Sequence, residues 1–356
     1  MRDAAAVYGV LSGVVRGTPA SSAECAVARG APAALWERAV HLEACGAWLE
    51  RARRAAPMGL EPAEPLLRAE GETAIRQALV AFAQMSEIAR VAERAGVRVL
   101  VLKGCARLLS GERPGQRSVA DIDLLADPSN AVLLHAALQR EAGYVVDGAV
   151  TPDRHLPMLV HASGAKLPVE IHSQLTDQGS ALDRAIWHDT ESVALSDVTV
   201  SIPSPTSRAL HTIAHAIVVH RTLRFRLRDV IDVATVCAAP GVDLDAVRHW
   251  IAADRDRPAV ETLMAAAGVA PYAAGSERAW KTVRRVAVAR LTVPARAGVQ
   301  APKDPLVYIA GQLAEGSATV LGGLAWRAFR RPRQTAAAVR GFVTRAAQRT
   351  RGPEHA

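Results

Sequence analysis

The stretch Val119-Ala120-Asp121-Ile122-Asp123-Leu124-Leu125 decides the fold, because it sets two carboxylates one residue apart inside an apolar run. Such a run predicts a buried strand, and the side chains of a strand alternate between its two faces. We therefore expect Asp121 and Asp123 on one face, with Ile122 and Leu124 in the core. Burying two acids costs free energy unless a positive charge meets them. Carboxylate oxygens this close together suit Mg²⁺, which keeps several waters and usually completes its shell with substrate phosphates.

A second alternating stretch, Val169-Glu170-Ile171-His172, supplies a third carboxylate. Its period of two predicts a half-buried strand with Glu170 and His172 on one face. For His172, a hydrogen-bonded structural role and contact with a substrate both remain open. Upstream, the apolar run at 97–102 has the length of a strand and leads directly into Lys103-Gly104, which predicts a turn before a helix.

Periodicity and composition divide the chain into four regions. Residues 1–95 have the alanine-rich periodicity of helices, and residues 96–203 combine short strands with helices, which predicts an α+β core. Helical periodicity returns in residues 204–300, which predicts a second helical region. Residues 301–356 predict an amphipathic helix followed by a basic tail. The apolar part of this last region, residues 305–326, is broken by polar residues and glycines, so we expect no transmembrane segment.

The net charge of +8 is concentrated at the end of the chain. Residues 327–356 hold eight arginines against one glutamate, so the rest of the chain is close to neutral. A basic tail of this kind is most often solvated, although it also suits an anionic partner such as nucleic acid, a membrane surface or an acidic protein. The four cysteines show no CxxC spacing, which argues against zinc or a disulfide framework and predicts a reducing, cytoplasmic location.

Two sets of polar residues after position 204 have alternative interpretations. His211, His215 and His220 recur at about one helical turn. This spacing favours packing or contact with a substrate over a metal site, because no acid or cysteine pattern completes one. The charged run that contains Arg228 and Asp232 predicts surface ion pairs of little energetic value, or a lining of the substrate site.

Several of these motifs occur in an order that resembles the uncharacterised nucleotidyltransferase family of the polymerase-beta-like superfamily. They are Lys103-Gly104, Arg117, Asp121-Ile122-Asp123-Leu124-Leu125, Gly143-Tyr144, Val169-Glu170-Ile171-His172, Leu210-His211, His215 and Arg228-Asp229. The resemblance spans about residues 75–240. It implies an α+β fold, with a small mixed sheet that has helices on one side and helical regions before and after it. It also implies a Mg²⁺-dependent site and a nucleoside triphosphate donor such as ATP.

The resemblance assigns the three acids a common role. It implies that Asp121 and Asp123 bind the catalytic metal ions, and that Glu170 is the third ligand and assists deprotonation of the acceptor. Metal ions held in this way clamp the attacking and leaving oxygens of a phosphoryl displacement.

The nucleotide-binding residues implied are Lys103, Gly104, Cys105 and Arg117. Lysine and arginine suit phosphate oxygens, and glycine allows a close approach of the backbone. Many members of the superfamily have serine where this chain has Cys105, and a thiol is the weaker hydrogen-bond donor. We expect His172, His211 and His215 to contact the substrate, and the helical region 204–300 to form the acceptor side of the site.

Two functions follow as hypotheses. The first is Mg²⁺-dependent transfer of a nucleotidyl group from a nucleoside triphosphate to an unknown small-molecule or peptide acceptor. The second is a catalytically altered binding or accessory protein that retains the same fold.

Overall fold

The computed structural model describes residues 1–55, 59–147, 155–175, 181–219, 226–253 and 257–292. The predicted amphipathic helix and basic tail in residues 301–356, as well as His220, lie outside these ranges. Within them, no helix combines the length and the apolar character needed to cross a membrane.

The N-terminal region is helical, as its composition predicts. Its helices are α1 (Arg2–Arg16), α2 (Ser22–Arg29), α3 (Ala33–Glu43), α4 (Gly46–Ala55) and α5 (Glu64–Arg94), with a short 3₁₀ turn (Glu61–Ala63) before α5. The start of α2 is a capping box, in which Ser21 accepts from the Glu24 amide and Glu24 accepts from the Ser21 amide. Helix α5 is 31 residues long, so it extends well beyond the other helices of this region.

A seven-stranded mixed sheet forms the centre of the described chain, with the order β3-β4-β5-β2-β1-β7-β6. The strands are β1 (Leu100–Val101), β2 (Ile122–Leu125), β3 (Tyr144–Val146), β4 (Leu159–His161), β5 (Val169–His172), β6 (Thr190–Leu195) and β7 (Val198–Pro203). Helices α6 (Lys103–Leu109), α7 (Pro128–Ala142) and α8 (Ala181–His188) connect them. Strands β2 and β5 pair in parallel, whereas β1 and β2 pair antiparallel.

The C-terminal part of the described chain is helical again. It contains α9 (Pro205–Ala214), a π-helical turn (His215–Val219), α10 (Leu227–Cys237), α11 (Leu244–Ala253), α12 (Arg257–Ala266), a 3₁₀ turn (Tyr272–Gly275) and α13 (Ser276–Thr292). These helices share one hydrophobic core with α1 to α4 and the start of α5.

Helices pack against both faces of the sheet next to β1 and β2. The second half of α5, together with α6 and α7, covers the face that carries Val101 and Leu124. Leu100 and Leu125 face the other way and pack with α8 and the end of α9. The implied placement of helices on one side is therefore wrong, because α8 and α9 bury apolar side chains of the opposite face.

The side chain of Gln84 fixes α5 to the sheet. Its Nε2 donates to the carbonyl of Leu167 and to the hydroxyl of Tyr144, both at 2.7 Å, and its Oε1 accepts from the Leu167 amide at 2.9 Å. Gln84 is 2 % exposed, and these bonds use the polar groups that burial would otherwise leave unpaired. They hold the segment that leads into β5.

Candidate functional site

The register of β2 and β5 brings the predicted acids side by side. Asp123 lies opposite Glu170, and Leu125 lies opposite His172. Because side chains alternate along a strand, Asp123, Glu170 and His172 share the face that α8 and α9 partly cover. The apolar residues between them point into the core on the other face. Local alternation and parallel pairing thus place three polar side chains in one cluster.

Asp123 is at the centre of this cluster. His172 Nε2 lies 2.9 Å from Asp123 Oδ1 and 3.7 Å from Glu170 Oε2. The bond to Asp123 is one in which the imidazole donates, because a carboxylate only accepts. One potential ligand atom from each of these three residues lies within 4.8 Å of the other two. In the described part of the chain, this is the group with the spacing of a metal site.

Lys103 reaches the same carboxylate from the first position of α6. Its Nζ lies 2.5 Å from Asp123 Oδ1, and the Asp123 side chain is only 2 % exposed. Burial alone would raise the pKa of Asp123, but the ammonium of Lys103 and the hydrogen bond from His172 hold it far below its ordinary value. Lys103 has φ of +47°, a left-handed conformation that costs a non-glycine residue about 1 kcal/mol or more. The strained residue is thus the one that forms the ion pair with Asp123.

Asp121 lies beside the cluster, one residue before β2, and is not one of the three clustered ligands. Burial and the negative charges of Asp123 and Glu170 raise the pKa of Asp121. Three carboxylates therefore share one neighbourhood with the single ammonium of Lys103, and their mutual repulsion favours a further cation. A divalent metal ion fits the charge and the oxygen and nitrogen donors of this cluster.

The predicted nucleotide contacts adjoin the acids, and Arg117 and Cys105, like Lys103, are engaged by the protein itself. A Cβ added to Gly104 would lie 2.1 Å from Arg117 Nη1, so the space that the glycine leaves is filled by that guanidinium. The thiol of Cys105 is 1 % exposed and donates to the backbone carbonyl of Asp121 at 3.8 Å. Burial raises the pKa of Cys105 to about 12, so it stays protonated and supports the Asp121 backbone.

Of the predicted substrate-binding histidines, His172 belongs to the cluster itself, whereas His211 and His215 lie in α9 and the turn that follows it. His211 in α9 is buried, and its ring centroid is 6.2 Å from that of His215. Burial and the positive charges of Lys103 and His172 lower the pKa of His211 to about 3. It is therefore a neutral imidazole at physiological pH, and it lies within electrostatic reach of Lys103, His172 and Asp123.

Asp232, which belongs to the charged run for which the sequence favoured surface ion pairs, is instead buried among three arginines next to the acids. Asp232, 7 % exposed, pairs with Arg107 and Arg117, and its Oδ2 lies 3.6 Å from Arg228 Nε. The expectation of surface pairs is wrong for this residue, because α10 turns Asp232 towards α6 and the loop before β2. The i, i+4 spacing of Arg228 and Asp232 does indicate that they share a helix face, but it does not show that the face is covered.

Comparison with known protein families confirms the predicted family. The model of the uncharacterised nucleotidyltransferase family matches residues 35–271, about two thirds of the chain. Among solved structures, the chain is similar to an antigenic nucleotidyltransferase-like protein from Paracoccidioides brasiliensis. That similarity has 17 % identity and a TM-score of 0.35, and it covers 51 % of this chain and 92 % of the other. A comparison with curated proteins gives no match. Because the family model spans well over half of its residues, the chain belongs to the uncharacterised nucleotidyltransferase family.

Proposed function

We propose that this protein transfers a nucleotidyl group from a nucleoside triphosphate such as ATP to a small-molecule or peptide acceptor, and that the reaction depends on Mg²⁺. The observation that carries the proposal is the convergence of Asp123, Glu170 and His172 within 4.8 Å, with Asp121 and Lys103 beside them. Membership of the family supports the same class of chemistry. We further propose that the reaction takes place in the cytoplasm.

Asp121, Asp123 and Glu170 would hold the metal, and His172 would orient the carboxylate of Asp123. When bound, Mg²⁺ supplies neutralisation of the charge on the phosphate oxygens. The register between β2 and β5 keeps Asp123, Glu170 and His172 in place before substrate arrives, since backbone hydrogen bonds fix both strands. Such preorganisation is the main source of catalysis in phosphoryl transfer.

The remaining residues of the site would bind and orient the substrates. Lys103 presents its ammonium at the acids, where a triphosphate would draw it towards the phosphate oxygens, and Arg117 offers a second phosphate contact over Gly104. Glu170, whose side chain is 26 % exposed, is more open than Asp123 and would accept the proton of the acceptor. Cys105 would contribute indirectly, because its thiol holds the backbone carbonyl of Asp121 in place.

On the acceptor side, His211 and His215 would contact the second substrate. A neutral His211 can either donate or accept a hydrogen bond, which suits a hydroxyl or amine acceptor. We also propose that the basic stretch at 327–356 meets an anionic partner.

Isothermal titration with MgATP, MgCTP, MgGTP and MgUTP tests this function. We expect one or more of these nucleotides to bind the full chain, and Asp123→Asn to weaken that binding at least tenfold and to abolish transfer. The matched control is Asp197→Asn, in the exposed β6–β7 turn, which should leave both unchanged. Circular dichroism confirms that each variant is folded. Wild-type affinity in a folded Asp123→Asn protein, or no binding of any of the four nucleotides, would refute the proposal and favour the accessory role.

A further inference from the structure

A histidine outside the predicted set lies on the same face of the sheet as the acids. His155, in the segment before β4, forms an isolated antiparallel bridge with His172 at the end of β5. Residues directly opposite each other in an antiparallel pair have their side chains on one face. The imidazole of His155 therefore lies on the face that carries Glu170 and His172, on the side of β5 away from β2.

This placement depends on one extra residue in the segment that contains His155. Leu159 lies opposite Val169. His155 lies opposite His172, so this segment advances by four positions where β5 advances by three. Such an irregularity is a β-bulge, which changes the side chain that faces a given partner. Strict alternation would place Leu156 opposite His172, but Leu156 packs with the core on the other face. The bulge thus places a histidine instead of a leucine beside the acids.

A side chain from α7 holds the bulge in place. His135 Nε2 lies 3.0 Å from the carbonyl oxygen of Pro157, within the bulge, and Gln139 Nε2 lies 2.9 Å from His135 Nδ1. Because the amide of Gln139 donates to Nδ1, His135 carries its proton on Nε2 and donates it to that carbonyl. A bulge disrupts the hydrogen bonding of the ladder, and this bond satisfies one of the backbone groups concerned. The bulge is therefore a fixed part of the fold.

The rings of His155 and His172 are in contact. Their centroids are 5.5 Å apart and their planes are inclined by 58°, within the range in which aromatic rings attract each other. Towards β2, His172 Nε2 lies 2.9 Å from Asp123 Oδ1. The imidazole of His172 thus has a ring on one side and its carboxylate acceptor on the other, which favours a single orientation.

The orientation of His172 matters because of how it binds Asp123. Lys103 Nζ and His172 Nε2 both contact Oδ1 of that carboxylate, at 2.5 and 2.9 Å. In the proposed reaction a triphosphate draws the ammonium of Lys103 towards its phosphates, and the hydrogen bond from His172 then keeps the carboxylate in place. Loss of a partner that orients a metal-binding carboxylate typically costs about 10- to 100-fold in metal affinity or activity.

We propose that His155 is a positioning residue of the transfer reaction: its ring holds the imidazole of His172, so that Nε2 keeps its hydrogen bond to Asp123 while nucleotide and metal bind. This inference rests on the proposed function, because the metal that Asp123 would hold belongs to that reaction. His155 acts through His172, and the bulge that His135 anchors is what brings the two rings together.

Nuclear magnetic resonance of the full chain, with isotope-labelled histidine and without nucleotide, tests the contact. The observable is the exchange of the His172 Nε2 proton with water, and its signal is assigned by comparison with His172→Gln. We expect at least fivefold faster exchange in His155→Ala, because the donor is held less firmly against Asp123. His155→Phe keeps a ring at this position and should exchange like wild type. The matched control is His249→Ala, on the exposed face of α11, which should leave the signal unchanged.

A variant on the opposite face of the sheet tests the bulge itself. His135→Phe removes the hydrogen bond to the carbonyl of Pro157 without touching the acids, and it should also speed the exchange at His172. This variant supplies the comparison if His155→Ala does not fold, which circular dichroism shows.

Steady-state kinetics tests the consequence for transfer. We expect His155→Ala to lower kcat at least fivefold and to leave KM for the nucleotide within twofold, because Lys103 and Arg117 would still bind the phosphates. His155→Phe should restore most of the lost kcat. A residue that only stabilised the fold would not divide its effect between kcat and KM in this way.

Two results would overturn the inference. One is wild-type exchange at His172 in a folded His155→Ala protein, which would show that the ring of His155 does not hold its neighbour. The other is a loss of kcat in His155→Phe as large as in His155→Ala, which would mean that the nitrogens of His155 act on a substrate. The exchange measurement needs no nucleotide, so failure here is distinguishable from failure of the proposed transferase activity.

Discussion

Replacing Gly104 by alanine should disturb Arg117 rather than the helix that contains the substitution. The new Cβ would lie 2.1 Å from Arg117 Nη1, while the next nearest atoms, Arg117 Cζ and Val119 Cγ2, are at 3.4 Å. An ordinary contact needs about 3.4 Å, so the guanidinium must withdraw by about 1.3 Å. Its Nε bonds to Asp232 are already 3.2 Å long and would break.

The size and sign of the effect follow from two opposing contributions. A hydrogen bond between charged groups contributes about 2 kcal/mol, which the displaced Arg117 would lose. Alanine in place of glycine within helix α6 returns about 1 kcal/mol through its helix propensity. We therefore expect Gly104→Ala to lower the free energy of unfolding by about 1 kcal/mol. In a chain that already carries Arg117→Ala, the same substitution should raise it by about 1 kcal/mol, because nothing remains to be displaced.

Urea unfolding of the wild type, the two single variants and the double variant measures this change of sign as a coupling energy of about 2 kcal/mol. Nucleotide titration of the same four proteins shows whether the displaced guanidinium also weakens phosphate binding. If Gly104→Ala destabilises the chain equally with and without Arg117, the close approach of these two groups does not explain why the position is glycine, and the reasoning is wrong.

Two further predictions concern the charged groups. Burial would raise the pKa of Asp232, but Arg117, Arg107 and Arg228 lower it to about 2. Ionised Asp232 should thus stabilise the fold by about 2 kcal/mol above pH 4, and this contribution should disappear as the pH falls from about 4 through about 2. The difference in unfolding free energy between wild type and Asp232→Asn, measured from pH 2 to pH 6, should grow over that window, and a flat difference would contradict the pairing. Lys103→Met removes the ammonium from Asp123 and should tighten the binding of Mn²⁺ to the nucleotide-free chain at least threefold while weakening nucleotide binding, as followed by electron paramagnetic resonance and calorimetry. Weaker Mn²⁺ binding in Lys103→Met would show that the lysine does not compete with a metal.

The local pattern of the sequence was enough to locate the strands that carry the acids. Alternation placed Asp123 on the polar face of β2 and Glu170 on the polar face of β5, although β2 is shorter than the run 119–125 suggests and begins after Asp121. The hairpin of β6 and β7 was not expected, even though its alternating residues flank a two-residue turn at Ser196 and Asp197. Ser196 has φ of +60°, a conformation that is unusual for serine, so the sequence gives little indication of a turn at this position.

The tertiary contacts of the site could not be predicted from spacing. Nothing local relates Lys103 to Asp123, which is twenty residues away, or Arg107 to Asp232, which is 125 residues away. Both pairs depend on how α6 packs between the sheet and α10. The roles assigned to the individual site residues and the division of the chain into four regions remain predictions.

Helix α5 couples the two large hydrophobic cores of the described chain. At 1.5 Å per residue its 31 residues form a rod about 46 Å long. Leu67 near its start is buried among the N- and C-terminal helices, whereas Met85 and Ile88 near its end are buried against the sheet. Because this one helix contributes side chains to both hydrophobic cores, the unfolding of either core would expose apolar side chains of the other. The strands that carry the acids therefore cannot be expected to fold without α5. A polypeptide that begins at residue 96 would expose to water the sheet surface that Met85 and Ile88 bury.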